Sequence, residues 1–271
     1  MRSLRNVGFA LLAFIGILVA FGVYESYFTA SSAIGQPVSE GIYSQLYSLA
    51  NSNFSYSFVP SSVYVQTAKV YNDTAFTTYE GKVLVLYVGA EWCPYCAADR
   101  WAILVALMRF GNFTGLEYMM SSSSDVYPDS PTFTFTNSSY SSPFVYFLPY
   151  EYENRQGQSL DTPPAQVEQL WKELGNESIP FVYVGGYYYQ VGTIVNPGLI
   201  SGQSWDYVLQ QLQGNTQLAK EVYSEANILT AEICKADNNQ PSHVCYNPAI
   251  EEIEKMLSSQ VNYYVVAEDK G

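Results

Sequence analysis

The chain has 271 residues, a net charge of −13 and a pI near 4.4. Only 14% of its residues are charged, whereas 25 are tyrosines. This acidic balance disfavours nucleic acid as a partner and supplies no basic patch for anionic lipid.

The first hydrophobic segment lies at the N-terminus. Residues 7–23 carry no charge, Arg2 and Arg5 precede them, and an acidic residue follows. A run of this length reaches the lower limit for spanning a bilayer, and the flanking charges place its N-terminus in the cytoplasm. We expect a cytoplasmic tip at 1–6, a single-pass membrane anchor at 7–28 and an extracellular body. A cleaved signal peptide is the alternative.

Five Asn-x-Ser/Thr sequons fit an exported, glycosylated surface. The candidate glycosylation sites are Asn53, Asn72, Asn112, Asn137 and Asn176. Neutral polar residues also replace charged ones along much of the chain. This composition suits a strongly acidic medium, because protonated carboxylates would leave only 12 Lys and Arg charged.

Residues 29–50 are expected to form a stalk and a first amphipathic helix. Ile42, Leu46 and Leu49 recur there at helical spacing. Residues 51–80 are aromatic and rich in Ser and Asn, and they predict an entry strand with loops.

The most informative stretch is the Cys-Pro-Tyr-Cys motif that begins at Cys93. The apolar run 83–88 predicts a buried strand before it, and a second apolar run predicts a buried helix after it. Pro94 suits the first helical position, which leaves Cys93 at the N-cap, where unpaired N–H groups and the helix dipole lower a thiol pKa. We predict that Cys93 attacks, that Cys96 resolves, and that a Cys93–Cys96 disulfide is the oxidised form.

A zinc half-site and a purely structural disulfide are the alternatives for this pair. The other cysteines, Cys234 and Cys245, have the wrong spacing for a second zinc-binding pair. A copper carrier would combine both thiolates with Met119 or Met120, which we expect on a core strand. We therefore expect no metal and no organic cofactor.

Residues 115–120 predict the next strand, parallel to 82–88 and joined to it by a right-handed crossover. A long insertion follows at 121–143, with four consecutive serines and an alternation of Thr and Phe that indicates an extra strand. A further strand is expected at 144–148.

Asp161 followed by two prolines predicts a helix start, and Gly175 its end. A hairpin is predicted at 181–191 around a Gly-Gly turn, with a closing helix at 199–212.

Residues 216–271 predict a C-terminal helical extension with a turn-rich loop between two helices. In an exported chain, Cys234 and Cys245 most simply form a disulfide that joins these helices. A relay that exchanges with Cys93–Cys96 is the alternative.

Two levels of resemblance follow from these motifs. The dithiol motif and the Ile179-Pro180 step before an apolar strand resemble the thioredoxin superfamily, with Pro-Tyr between the cysteines as in glutaredoxins. More narrowly, residues from about 80 to 250 resemble an archaeal family of thioredoxin-like proteins catalogued as domain of unknown function 929. The narrower resemblance is carried by residues 92–101, 125–128, 131–133 and 233–245.

The resemblance implies an α/β thioredoxin-like fold over 51–215, with a central mixed sheet and helices on both faces. It implies that Pro180 is cis and faces the dithiol, and that the insertion lies near the dithiol as a substrate-facing lip. The alternative is that the insertion is a surface hairpin with no role in substrate binding. Tyr87 stands where thioredoxins have a proton-relaying aspartate, which argues against fast reductase chemistry.

The sequence thus predicts a membrane-anchored, extracytoplasmic thiol–disulfide oxidoreductase, closer to an oxidase or isomerase than to a reductase. Its partners would be exported proteins with thiols or disulfides and an unidentified membrane electron partner. Trp92, Tyr95 and Ile179 would contact the substrate, and the backbone around Pro180 would hold it as an added strand. The alternative function is a thioredoxin-fold binding or structural module of the cell envelope, in which both cysteine pairs are structural disulfides.

Overall fold

The computed structural model describes residues 32–63, 65–67 and 77–268, with side chains described as far as residue 259. Three predicted features lie outside the described residues: the cytoplasmic tip at 1–6, the membrane anchor at 7–28 and the sequon at Asn72. Within the described ranges, no helix combines the length and the apolar character needed to cross a membrane.

The described residues form both helices and strands. The helices are α1 (Glu40–Ala50), α2 (Asn53–Tyr56), α3 (Pro94–Leu107), α4 (Ala165–Gly175), α5 (Trp205–Leu212), α6 (Gln217–Ala236), α7 (Ser242–Cys245) and α8 (Pro248–Glu268), with a 3-10 turn at Pro197–Leu199. The strands are β1 (Gln66–Thr67), β2 (Thr78–Tyr79), β3 (Lys82–Gly89), β4 (Asn112–Thr114), β5 (Glu117–Met120), β6 (Pro131–Thr134), β7 (Ser139–Ser141), β8 (Val145–Glu151), β9 (Phe181–Val184) and β10 (Tyr188–Val191).

The central sheet is mixed, as the sequence predicts. β3 pairs in parallel with β8 and antiparallel with β9, with Leu86 between Leu148 and Tyr183. β9 continues into β10 and then β1, while β2 pairs with the start of β3. The predicted hairpin at 181–191 is confirmed as β9 and β10.

Side chains of β3 alternate between two apolar layers. The odd-numbered residues from Val83 to Tyr87 belong to the core that also contains α1, α3 and α6. The even-numbered residues from Leu84 to Val88 pack with side chains of α4 on the other face. Both faces of β3 are therefore covered, which explains why this strand is apolar at almost every position.

The strand predicted beside β3 lies elsewhere. β5 pairs antiparallel with β6 in a separate two-stranded sheet, with Tyr118 opposite Phe133, and β8 takes the parallel place beside β3. The prediction for 115–120 was right about the strand and wrong about its partner. The reason lies in the insertion, whose Phe133 packs edge-on against Trp101 of α3 with ring centroids 5.0 Å apart.

Two helix boundaries differ from the sequence-based expectation. Asp161 does not cap α4, which begins after Pro164 without a side-chain cap; its carboxylate instead accepts the N–H of Glu151 at 3.0 Å. The closing helix expected at 199–212 is shorter, because a 3-10 turn and a loop precede α5.

Helix α6 packs along α3 and shares the same apolar core. Polar side chains of α6 form hydrogen bonds with neighbouring elements. Asn227 donates to the carbonyl of Ser55, and Thr230 accepts from the buried guanidinium of Arg109 at 2.8 Å. The C-terminal helices are further joined by the Cys234–Cys245 disulfide, whose Cα atoms are 5.5 Å apart. The C-terminal extension is thus built into the core.

Glu232 of α6 is a buried carboxyl whose ionisation opposes folding. It accepts a hydrogen bond from the Gln190 amide at 3.1 Å, and burial raises its pKa to about 8. The folded value lies above the unfolded value of roughly 4.3. The contribution of this group to stability is therefore fully present below about pH 4 and is lost as the pH rises through about 8.

We predict that Glu232→Gln flattens the pH dependence of the unfolding free energy between about pH 4 and 9, with a gain on the order of 3 kcal/mol at the alkaline end. Urea denaturation at several pH values measures this. Glu251→Gln, at an exposed position of α8, is the control and should leave the slope unchanged. An unchanged slope in the Glu232 variant would contradict the prediction.

Candidate active site

Cys93 occupies the N-cap of α3, the position that the sequence predicts. Its backbone is extended (φ −75°, ψ 121°), Pro94 takes the first helical position, and the N–H of Cys96 donates to Cys93 Sγ at 3.2 Å. The helix start thus presents backbone donors to the sulfur of Cys93, which stabilises a thiolate.

The two cysteines are free thiols with opposite properties. Cys93 keeps 4% of its surface exposed, whereas Cys96 is fully buried. The pKa of Cys93 is lowered, chiefly because the Cys96 thiol donates a hydrogen bond to it, with help from backbone N–H groups and the charge of Arg100 and against the effect of burial. Burial, followed by the hydrogen bond to Cys93, raises the pKa of Cys96 well above its ordinary value. The predicted Cys93–Cys96 disulfide is therefore not present in this structure.

A buried ion pair lies directly behind the dithiol. The guanidinium of Arg100 donates to both carboxylate oxygens of Glu151, at 2.8 and 2.5 Å, and to the carbonyl of Ala90 at 2.8 Å. Arg100 and Glu151 are both fully buried. The pair therefore fastens α3 to the end of β8 and to the turn that precedes Cys93.

The residues before Cys93 are held by a second set of polar contacts. Glu91 accepts from the hydroxyl of Thr134 at 2.7 Å and from the N–H of Arg155 at 3.2 Å. The indole N–H of Trp92 donates to Glu153 at 2.6 Å. The Glu-Trp dipeptide thereby links the dithiol turn to β6 and to the segment after β8.

The first part of the insertion, residues 121–130, lies against the dithiol turn, and we name it the lip. Its Ser122 N–H donates to the Trp92 carbonyl at 2.8 Å, and the ring of Tyr127 meets that of Tyr95 edge-on, 5.9 Å between centroids. Arg155 fixes its base by an ion pair of 2.6 Å with Asp129. An open cavity of about 760 Å³ lies between the lip, Trp92 and the segment 153–157.

Ile179 and Pro180 complete the surroundings of the dithiol. Ile179 packs on the cluster formed by Ala90, Cys93 and Cys96, and the Ile179–Pro180 peptide bond is cis. The Pro180 carbonyl accepts the N–H of Gly192 at 2.8 Å. Among the described residues, no group forms a hydrogen bond with the backbone of Ile179, so this backbone is open for pairing beside the sulfur atoms.

Other predicted sites lie apart from the dithiol. The described sequons, Asn53, Asn112, Asn137 and Asn176, are exposed. Met119 and Met120 are buried on β5. No group of three or more His, Cys, Asp or Glu within the described ranges is arranged to hold a metal ion.

Comparison with known proteins identifies the family of this chain. The family model described as "Domain of unknown function (DUF929)" matches residues 66–235, more than half of the chain. The chain belongs to the DUF929 family. No curated protein and no solved structure gives a significant match. The DUF929 match contains the dithiol, the lip, the Ile179–Pro180 step and nearly all of α6.

Sequence reasoning gave no role to the charged residues behind the DUF929 dithiol. Asp99 and Arg100 are buried within α3, and Glu151 ends β8. The available signal was an acidic and a basic residue within an otherwise apolar helical run. Charged residues are almost never fully buried unless they are paired.

We predict that Cys96→Ala raises the pKa of Cys93, because the variant lacks the thiol hydrogen bond that lowers it most. Cys96→Ser keeps a hydroxyl donor at the same place and should retain most of the effect. The rate of Cys93 alkylation by iodoacetamide at about pH 6 should fall roughly three- to tenfold in the alanine variant relative to the serine variant. Equal rates in both variants would count against the hydrogen bond.

A second prediction concerns the buried ion pair. Glu151→Gln leaves the Arg100 cation without a counter-charge and is expected to lower the unfolding free energy by about 3–5 kcal/mol. The double variant Arg100→Met, Glu151→Leu removes both charges and should recover part of this loss. Asp129→Asn, which breaks the partly exposed pair with Arg155, should cost about 1 kcal/mol or less. Urea denaturation measures all three, and a double variant less stable than Glu151→Gln would refute the prediction.

Proposed function

We propose that this chain is a thioredoxin-like thiol–disulfide oxidoreductase that acts on exported proteins through Cys93 and Cys96. The observation that carries the proposal is the inequality of the two thiols. Cys93 has a lowered pKa and the greater exposure, whereas Cys96 is fully buried with a raised pKa. Thiol exchange needs one thiolate that attacks and one thiol that resolves, and a structural disulfide needs no such difference.

The topology also supports a thioredoxin-like assignment. A central strand leads through a short turn into the dithiol helix, a parallel strand and an antiparallel hairpin complete the sheet, and helices cover both faces. The cis Ile179–Pro180 step beside the sulfur atoms agrees with the same assignment.

The proposed reaction begins at Cys93. Its thiolate attacks one sulfur of a substrate disulfide, a Cys93–substrate bond forms, and the other substrate sulfur leaves as a thiolate. Cys96 then loses its proton and attacks Cys93 Sγ, which releases the second substrate thiolate and leaves a Cys93–Cys96 disulfide. Two electrons have passed to the substrate; in the reverse direction the oxidised pair accepts two electrons from a substrate dithiol.

We favour the oxidising or isomerising direction, because exported proteins form their disulfides outside the cytoplasm. Net oxidation requires an oxidant that restores the Cys93–Cys96 bond, and a membrane electron partner is proposed for this step. The proposed anchor at 7–28 would hold the domain at the outer face of the membrane, near that partner. The exposed sequons suit such a location.

The surroundings of Cys93 suit an extended polypeptide substrate. The open backbone of Ile179 offers main-chain hydrogen bonds to an added strand. Tyr95, 43% exposed, and Val126 of the lip, 68% exposed, offer apolar surface. Trp92 and Val126 both line the open cavity at the lip. Such contacts favour broad specificity, because most of them involve the backbone or flat apolar groups.

We predict that the full-length Cys96→Ser variant accumulates mixed disulfides with scrambled, disulfide-bonded ribonuclease, because Cys93 can attack a substrate disulfide but no thiol resolves the adduct. Non-reducing electrophoresis and mass spectrometry of the linked peptide measure the adduct. Cys93→Ser is the matched control and should trap nothing. An envelope module with structural disulfides predicts the opposite result, in which neither variant forms an adduct.

A further inference from the structure

Asp99 is a buried carboxyl close to the resolving thiol. It lies on α3 three residues after Cys96, so the two side chains occupy adjacent turns on the same side of the helix. Asp99 is 2% exposed, and its Oδ2 receives no hydrogen bond from any described group. A buried carboxylate oxygen without a hydrogen-bond partner lowers the stability of the fold. Such groups therefore call for an explanation, of which a catalytic role is one.

Helix α6 supplies a second carboxyl to the same region. Glu225 is buried and accepts from the hydroxyl of Thr193 at 2.5 Å and from the N–H of Ile194 at 3.2 Å. Burial, followed by the charge of Glu225, raises the pKa of Asp99 well above its ordinary value. Burial raises the pKa of Glu225 to about 7. Two interacting carboxyls of this kind share one proton over a wide pH range and can accept another.

The structure points to an acceptor for the proton of Cys96. We propose that Asp99 takes this proton when Cys96 attacks the mixed disulfide, and that Glu225, from the C-terminal extension, sets the proton affinity of Asp99. The inference rests on the proposed function and adds two residues to it. Asp99 would act on the reacting thiol, whereas Glu225 would act through Asp99.

The step is balanced in atoms and electrons. The Cys96–Cys93 bond forms as the Cys93–substrate bond breaks, the bonding electron pair leaves on the substrate sulfur, and the Cys96 proton moves to Asp99 Oδ2. The Glu225 carboxyl accepts a hydrogen bond from the hydroxyl of Thr193, which is partly exposed. This contact gives Asp99 and Glu225 a route by which the proton can return to solvent.

The other titratable groups around Asp99 are less suitable acceptors. Arg100, on the same helix, already carries its proton and binds Glu151 through both carboxylate oxygens. Burial raises the pKa of Tyr87 on β3 well above its ordinary value, so this phenol is protonated. Cys93 is engaged in the mixed disulfide. Tyr152 packs on the dithiol cluster and is also protonated, because burial raises its pKa to about 12. Asp99 therefore remains as the acceptor one turn from Cys96 among the described residues.

The test follows the reduced, full-length protein as it reacts with 5,5′-dithiobis(2-nitrobenzoate) in a stopped-flow instrument. Cys93 releases the first coloured thiolate, and Cys96 releases the second when it resolves the adduct. Asp99→Asn is expected to slow the second release about 10- to 100-fold near neutral pH and to leave the first almost unchanged. Glu225→Gln removes a negative charge beside Asp99, so the pH midpoint of the second release should move to lower pH.

The control is Glu251→Gln, which alters an exposed carboxyl on α8 and should affect neither release. A second release in Asp99→Asn at the wild-type rate across the pH range would overturn the proposal. If Asp99→Asn does not fold, Glu225→Gln decides, and an unmoved midpoint overturns it. The small disulfide reports on the cysteine pair alone, so loss of the protein adduct in the trapping experiment would refute the proposed function separately.

Discussion

The position of the dithiol depends on the buried ion pair between Arg100 and Glu151. Both charged groups are fully buried. The free-energy cost of removing them from water is offset only while their mutual hydrogen bonds are kept. The same guanidinium binds the Ala90 carbonyl, so the turn before Cys93 cannot shift without loss of a buried contact. The helix start, the end of β8 and the turn are therefore fixed relative to one another by one side chain.

This rigid helix start gives the two cysteines different properties although only two residues separate them. Cys93 lies at the open end of the helix and receives hydrogen bonds, whereas Cys96 lies one turn inside and loses contact with water. The lip adds a wall on one side, and Arg155 holds that wall through Asp129 and the carbonyl of Ser121. The difference between the two thiols thus depends on the whole assembly of β3, α3, β8 and the lip.

Local signals in the sequence were sufficient for much of this assembly. Pro94 and the flanking apolar runs predicted the strand, the helix and the N-cap cysteine, and the Gly-Gly turn predicted the hairpin. Pairing over long distances was not predictable in the same way, because an apolar strand does not specify its neighbour. The residues 115–120 were thus given the wrong partner. Arg100 was given no role for a similar reason, since its partner lies 51 residues away.

Helix α6 connects the candidate chemistry to the stability of the fold. It packs along α3 within the same apolar core, receives Arg109 at Thr230, and brings Glu225 toward Asp99. The DUF929 match extends through nearly all of α6 and ends just after Cys234. Asp99 of α3 is 2% exposed, and Glu225 of α6 is among the groups that raise its pKa. The helical extension therefore contributes both to the packing of α3 and, through Glu225, to the pKa of a carboxyl one turn from Cys96.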